Sequence, residues 1–186
     1  HAWLLAGPVG IGKAKLAQSL AAWLLSKQGE DGLALFGSEP NSHTSSDFFV
    51  LPENSDVRLV MSGTHPDLLT LSAASEENNK SGQIKIEQVR KLQAFFNHSA
   101  ARGGWRIAII DSLDDINRNS ANAMLKILEE PPKKTVLFVL TSRPGQILPT
   151  IRSRCILAPL SSLSFEECLR VITFHLPDVD HKQLSH

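Results

Sequence analysis

The residues best suited to chemistry open the chain. Gly7-Pro8-Val9-Gly10-Ile11-Gly12-Lys13-Ala14 follows the pattern G-x-x-x-x-G-K-[ST] in every letter but the last. In that pattern the glycines let successive backbone N–H groups curl round a polyphosphate, the lysine reaches the terminal phosphates, and the closing hydroxyl holds Mg²⁺. Gly7, Gly10, Gly12 and Lys13 are therefore candidate phosphate contacts, while Ala14 offers no atom that can ligand a metal. A glycine-rich turn that binds nothing is the second reading of the same letters. Asp111 closes the apolar run Ile107-Ala108-Ile109-Ile110, the place where a phosphate-loop protein holds its Mg²⁺ directly or through water. Hydrolysis also needs a base beside that aspartate, but the next residue is Ser112, and Asp114 and Asp115 lie out of register. An aspartate that merely caps the following turn is the plainer alternative. Thr141 ends another β-rich run, and Arg152-Ser153-Arg154-Cys155 carries a guanidinium pair. Taken alone, such a pair is a solvated or salt-bridged surface feature.

Strands and helices must bring these residues together. Residues 3–6 read as an apolar strand feeding the loop, and Leu16, Leu20, Trp23 and Leu24 recur behind it at helical spacing, so a helix N-terminus faces the phosphate site. Residues 27–66 have loop composition, punctuated by Gly29, Gly32, Gly37, Pro40, Pro52, Gly63 and Pro66. At about forty residues this stretch exceeds an ordinary connection and reads as an insertion, with residues 33–36 and 48–51 as candidate ordered pieces. Residues 68–71 predict a second strand. Ile86, Val89, Leu92 and Phe96 predict a helix that Gly103-Gly104 closes off. Residues 105–110 read as a strand buried on both faces, and residues 117–130 as a helix with Ala121, Met124, Leu125 and Leu128 on one face. Pro131-Pro132 stops that helix. Strands follow at 135–140 and 156–158, and beyond Pro159 the pattern turns helical, with Ser164 and Glu167 as a capping box and Leu163 with Cys168 as a hydrophobic staple. Strands alternating with helices predict an α/β fold, a parallel sheet with helices on both faces over residues 1–160, and the start of a helical domain over 161–186. Ligands in such sheets sit at the carboxyl ends of the strands, where Gly7, Asp111 and Thr141 all fall.

Composition narrows the partners. Nineteen basic residues balance nineteen acidic ones in a chain of 186, so no global field draws it to nucleic acid or to an anionic membrane. No apolar run reaches membrane-spanning length, and a cytoplasmic protein is expected. Cys155 and Cys168 supply neither a disulfide framework nor a C-x-x-C metal site. His43 and His65 read as surface loop histidines rather than zinc ligands. Lys80, Lys85, Arg90, Lys91 and Arg102 read as a solvated helix face rather than a DNA surface. His1 and Ala2 run straight into the first strand, which suggests a fragment of a longer protein.

Together the motifs resemble the clamp-loader branch of the AAA+ ATPases. The matching stretches are residues 3–15, His65-Pro66-Asp67, the helix ending at Phe96, Asn119-Ser120-Ala121-Asn122-Ala123-Met124-Leu125-Lys126-Ile127-Leu128-Glu129-Glu130-Pro131-Pro132, and Ile151-Arg152-Ser153-Arg154-Cys155. The resemblance implies an AAA+ phosphate-loop domain and the beginning of its helical lid, in a subunit of the machine that loads a sliding clamp onto primed DNA. It also implies a role for Arg154, reaching in trans into a neighbouring subunit's ATP site. Ala14 and Ser112 suit a non-hydrolysing stator with a degenerate site (Gly7, Gly10, Gly12, Lys13, Asp111, Thr141) that binds ATP or ADP weakly or not at all. Partners implied are the motor and delta-type subunits, with the clamp and primed DNA met through the complex and no membrane. Members of this branch carry a four-cysteine zinc module after the first helix; residues 27–63 have no cysteine, so no zinc is expected. An ATP-hydrolysing motor subunit, or an unrelated phosphate-loop enzyme such as a small kinase, stays open as the alternative.

Overall fold

In the computed structural model, described over residues 1–27, 51–72 and 83–175, five parallel strands stand in the order β2-β3-β4-β1-β5. They are β1 (Ala2–Ala6), β2 (Leu68–Ser72), β3 (Arg106–Asp111), β4 (Thr135–Thr141) and β5 (Ile156–Pro159). All neighbours run parallel, in register from Ala2 beside Leu137 to Ala6 beside Thr141 and from Leu68 beside Ile107 to Ser72 beside Asp111. The near-continuous apolar sequences of β1, β3 and β4 follow from this arrangement, because each is covered on both faces.

Side chains alternate across the sheet, and the alternation divides the core in two. Leu4, Ala108, Ile110, Leu137 and Val139 face one layer with α3 (Ile86–Asn97), α4 (Arg118–Glu129) and α5 (Pro149–Arg152). Leu5, Ile107, Ile109, Val136, Phe138 and Leu140 face the other, with α1 (Lys13–Ser26) and α2 (Ser55–Met61). The buried face of α1 consists of Ala17, Ala21, Ala22 and Leu25, whereas the expected stripe of Leu16, Leu20, Trp23 and Leu24 is only half-buried. Small side chains let the helix axis lie close to the sheet, and the large ones flank the contact.

Helix α2 arises inside the stretch read as loop. Asn54 caps it by accepting from the Val57 amide at 2.9 Å, and Gln18 of α1 donates to the Val60 carbonyl at 3.1 Å. The candidate pieces at 33–36 and 48–50, with His43 and Lys80, lie outside the described residues. His65 is not a surface histidine: it is 3% exposed, its Nδ1 accepts from the Asp67 amide at 3.0 Å, and its Nε2 lies 3.4 Å from Asp56 Oδ1. The fully buried Asp67 carboxylate accepts from the amides of Ala101 (2.7 Å) and Arg102 (3.3 Å), with Arg106 Nε 3.6 Å away. Arg102 in turn pairs with Asp56 rather than joining a free basic face. His65-Pro66-Asp67 is thus the polar knot that ties α2 to the start of β2.

Most expected boundaries hold to within a residue or two. Asn117 caps α4 through the Ser120 amide at 2.9 Å. The Ser164–Glu167 capping box forms in both directions, at 2.7 and 3.2 Å, at the start of α6 (Phe165–His175), and the Cys168 thiol reaches the Leu163 carbonyl at 4.0 Å. No described helix is long and apolar enough to cross a membrane.

Candidate functional site: a self-satisfied phosphate loop and a held arginine

The loop leaves the sheet between two neighbours. Gly7 N donates to Thr141 O at 3.1 Å at the end of β4, and Leu160 N donates to Ala6 O at 2.7 Å just past β5. Gly7 has to be glycine, since a Cβ there would stand 2.4 Å from the Leu160 carbonyl oxygen and 2.6 Å from Ile11 Cδ1. Gly10 and Gly12 take φ of 85° and 88°, the left-handed region that glycine enters without penalty, and Gly12 is the N-cap of α1. Those turns aim the first amides of α1 at the loop's interior.

Lys13 fills that interior itself. Its ammonium donates to the carbonyls of Gly7 (2.8 Å) and Pro8 (2.7 Å) and lies 3.5 Å from Ser142 Oγ, with the residue only 8% exposed. An ammonium has three donors, so two are spent on the loop's own backbone and the third leans on a hydroxyl. A phosphate entering here competes with both carbonyls. At position 14, where the pattern puts the hydroxyl that holds Mg²⁺, Ala14 brings no side-chain oxygen.

Opposite the loop, Thr141 is fully buried and its hydroxyl donates to Asp114 Oδ1 at 2.5 Å while accepting from the Arg143 amide at 3.0 Å. Asp114 Oδ2 accepts from the Ser142 amide at 2.7 Å, and the Asp114 amide donates to Ser112 Oγ at 3.1 Å. Burial pushes the Asp114 carboxyl up, but the bonds from Thr141, Ser142 and Ser112 together outweigh it and hold the group below the usual carboxylate range. By spacing along the chain alone, Asp114 is out of register. The turn after β3 folds it back onto β4, a pairing that no spacing along the chain announces. Asp111 stands half-buried at the end of β3, beside Ser72. The structure therefore joins Gly7, Lys13, Thr141 and Ser142 with Asp114, and leaves Asp111 on the same sheet edge without a bond to that group.

Arg154 belongs to a different place. It follows the four-residue α5, anchored by the buried Ile151, and its Nη1 donates to the Thr150 carbonyl (2.8 Å) and to Ser153 Oγ (3.3 Å). Its Nη2 lies 2.7 Å from Glu129 Oε1, the last residue of α4, so the two most specific stretches of the sequence touch each other. Both side chains are partly open, 35% for Arg154 and 49% for Glu129. Cys155 packs against the core beneath, and burial pushes its thiol up to about 11, which leaves it neutral and unreactive.

A parallel sheet in this order, with a phosphate loop after β1 between β4 and β5, is the α/β fold of AAA+-like phosphate-loop proteins. Solved structures share it: the DNA polymerase III gamma subunit-related protein of Thermotoga maritima superposes with a TM-score of 0.60 at 20% identity, covering 95% of this chain and 48% of that one. RuvB of the same organism gives 0.54 at 19% identity, over 97% and 45%. The family model described as DNA polymerase III, delta subunit, matches residues 1–164, and the chain belongs to that family. The delta' subunit of DNA polymerase III from Pseudomonas aeruginosa is 36% identical over 156 residues (84% of this chain, 42% of the relative), and that from Escherichia coli is 31% identical over 155 (83% and 40%). The tau subunit of Escherichia coli is 29% identical over 181 residues, 97% of this chain and 24% of the relative. The chain spans about two fifths of the length of the delta' relatives it matches.

Proposed function

We propose that this chain is the phosphate-loop domain of a non-hydrolysing delta'-type subunit of the DNA polymerase III clamp loader, and that it presents Arg154 to the ATP of a neighbouring subunit. The observation that carries the reading is the contrast between its two cationic sites. Lys13 is closed onto its own loop beside a residue that cannot hold Mg²⁺, whereas Arg154 stands at the surface with part of its guanidinium open. Arginine stays charged at any relevant pH and can fork onto phosphate oxygens, which suits a finger supplied to another subunit. Motor and delta-type subunits would flank it in the cytoplasm, with the sliding clamp and primed DNA met through the complex. Ala14 and Ser112 disfavour the motor reading, in which this chain would turn over ATP itself.

The test uses the full-length subunit reconstituted with its own clamp-loader partners. Arg154→Ala should leave folding and assembly intact while turnover at the neighbouring site falls by on the order of 10³-fold and clamp loading fails. Arg152→Ala, which removes an exposed charge two residues away, should act like the unmodified subunit. Equal ATPase rates for the Arg154→Ala and unmodified complexes, at equal assembly, would rule out the finger.

A further inference from the structure

Glu129 sits where elementary electrostatics does not favour an acid. It ends α4, with Glu130 next, at the helix terminus whose unpaired carbonyls carry partial negative charge, and Lys126 is the basic residue of that last turn. A local rule broken in this way marks a position kept for a task. The terminus is also firmly placed: Met124, Ile127 and Leu128 are in the core, the Glu130 amide still donates to Lys126 O at 3.1 Å, and Gln93 of α3 donates to the Ala123 carbonyl at 3.0 Å. Arg154, by contrast, hangs from a single short turn.

A guanidinium has five N–H donors. Nη1 spends both of its own on Thr150 O and Ser153 Oγ, and Nη2 turns one toward Glu129, so two remain for an outside acceptor. The three acceptors thus fix the plane of the group while keeping a pair of donors in reserve. From this geometry we propose that Glu129 is a positioning residue for Arg154: from the fixed end of α4 it orients the guanidinium toward the neighbouring subunit's nucleotide. The proposal rests on the trans role of Arg154. Released from Glu129, the arginine samples its rotamers in water, and a fork offered at the wrong angle gives up much of its effect on developing charge.

A double-mutant cycle in the full-length reconstituted complex tests this, with kcat and KM for ATP read separately. Glu129→Ala should lower kcat by about two- to five-fold, the weight of a partly exposed ion pair, with KM, assembly and melting temperature unchanged. Glu129→Asp, which keeps the charge on a shorter arm, should recover part of the rate. In the Arg154→Ala background, Glu129→Ala should change nothing further. A loss of the same size in that background overturns the proposal, since Glu129 would then act without the arginine. An unaltered kcat for Glu129→Ala, where Arg154→Ala does slow the complex, overturns the positioning role alone and leaves the finger standing. If Arg154→Ala has no effect, both fall.

Discussion

At the scale of one residue, the carboxylate tied to the loop's surroundings is not Asp111, which sequence reading places as the Mg²⁺ holder, but Asp114. Its bonds to the Thr141 hydroxyl and the Ser142 amide make it a structural brace between the turn after β3 and the end of β4. Because those bonds hold its folded-state pKa below the ordinary carboxylate value, its contribution is present above that value and is lost as pH falls through the lower, folded one. Asp114→Asn should cost about 1.5 kcal/mol at pH 7, the lower end of the scale for hydrogen bonds to a charged group, since the carboxylate is only half-buried. The difference from the unmodified protein should shrink as the pH is lowered below the ordinary carboxylate range, as the unmodified side chain itself takes up a proton. Denaturant unfolding across that range measures it, and a gap that stays constant with pH would assign the loss to packing. None of this was legible from spacing. Asp114 lies 27 residues from Thr141 along the chain, and only the strand register joins them.

Among the elements, those marked by hydrophobic pattern or by the Ser164–Glu167 capping box were legible, and those carried by close approach or a lone asparagine cap were not. Strands β3 and β4 are apolar between their end residues because the sheet is covered on both faces, so composition alone located them. The contact face of α1 is built from Ala17, Ala21, Ala22 and Leu25 with Leu20 and Leu24 packed on its flanks, a division that helical spacing of the large residues does not announce. Helix α2 is held by one asparagine cap and by neighbours, neither of which alters a composition read as loop. The phosphate loop shows the same split. Gly10 and Gly12 are needed for positive φ with open space at their Cα, and Gly7 for close approach at an ordinary φ. The three substitutions should therefore separate. Gly7→Ala forces the Leu160 backbone away from β1 and should cost about 2–3 kcal/mol, the upper range for overpacking. Gly12→Ala should cost about 1 kcal/mol through its left-handed backbone, and Gly145→Ala, with nothing within 4 Å, serves as the control. Equal losses at positions 7 and 145 would contradict the contact with Leu160.

For the molecule as a whole, the family and the sheet were legible in the sequence because the motif stretches are long and specific, whereas the state of the nucleotide site depends on where one ammonium points. Lys13 alone reads as a phosphate ligand; only its bonds to Gly7 and Pro8 show that the loop supplies its own acceptors. Saturable nucleotide binding would stabilise the fold by RT ln(1 + [L]/Kd), about 2.7 kcal/mol at a hundredfold excess over Kd. In a domain of this size that raises the melting temperature by roughly 5–10 °C. With the lysine committed and no oxygen at position 14, millimolar ATP or ADP should move it by less than about 2 °C, the range of weak binding with [L] near Kd. Magnesium supplies the sharper discrimination. A metal held between the loop and the phosphates would make the shift larger with Mg²⁺ than with a chelator, while phosphate contacts through the α1 amides and Lys13 alone would make it the same in both. The expected outcome is a small shift indifferent to Mg²⁺, unchanged in the control Ser112→Glu, where glutamate replaces the serine after Asp111, and enlarged with Mg²⁺ in Ala14→Thr, which restores the missing hydroxyl. A large, magnesium-dependent shift in the unmodified chain would mean that Lys13 leaves its carbonyls readily, and would return the motor reading to the front.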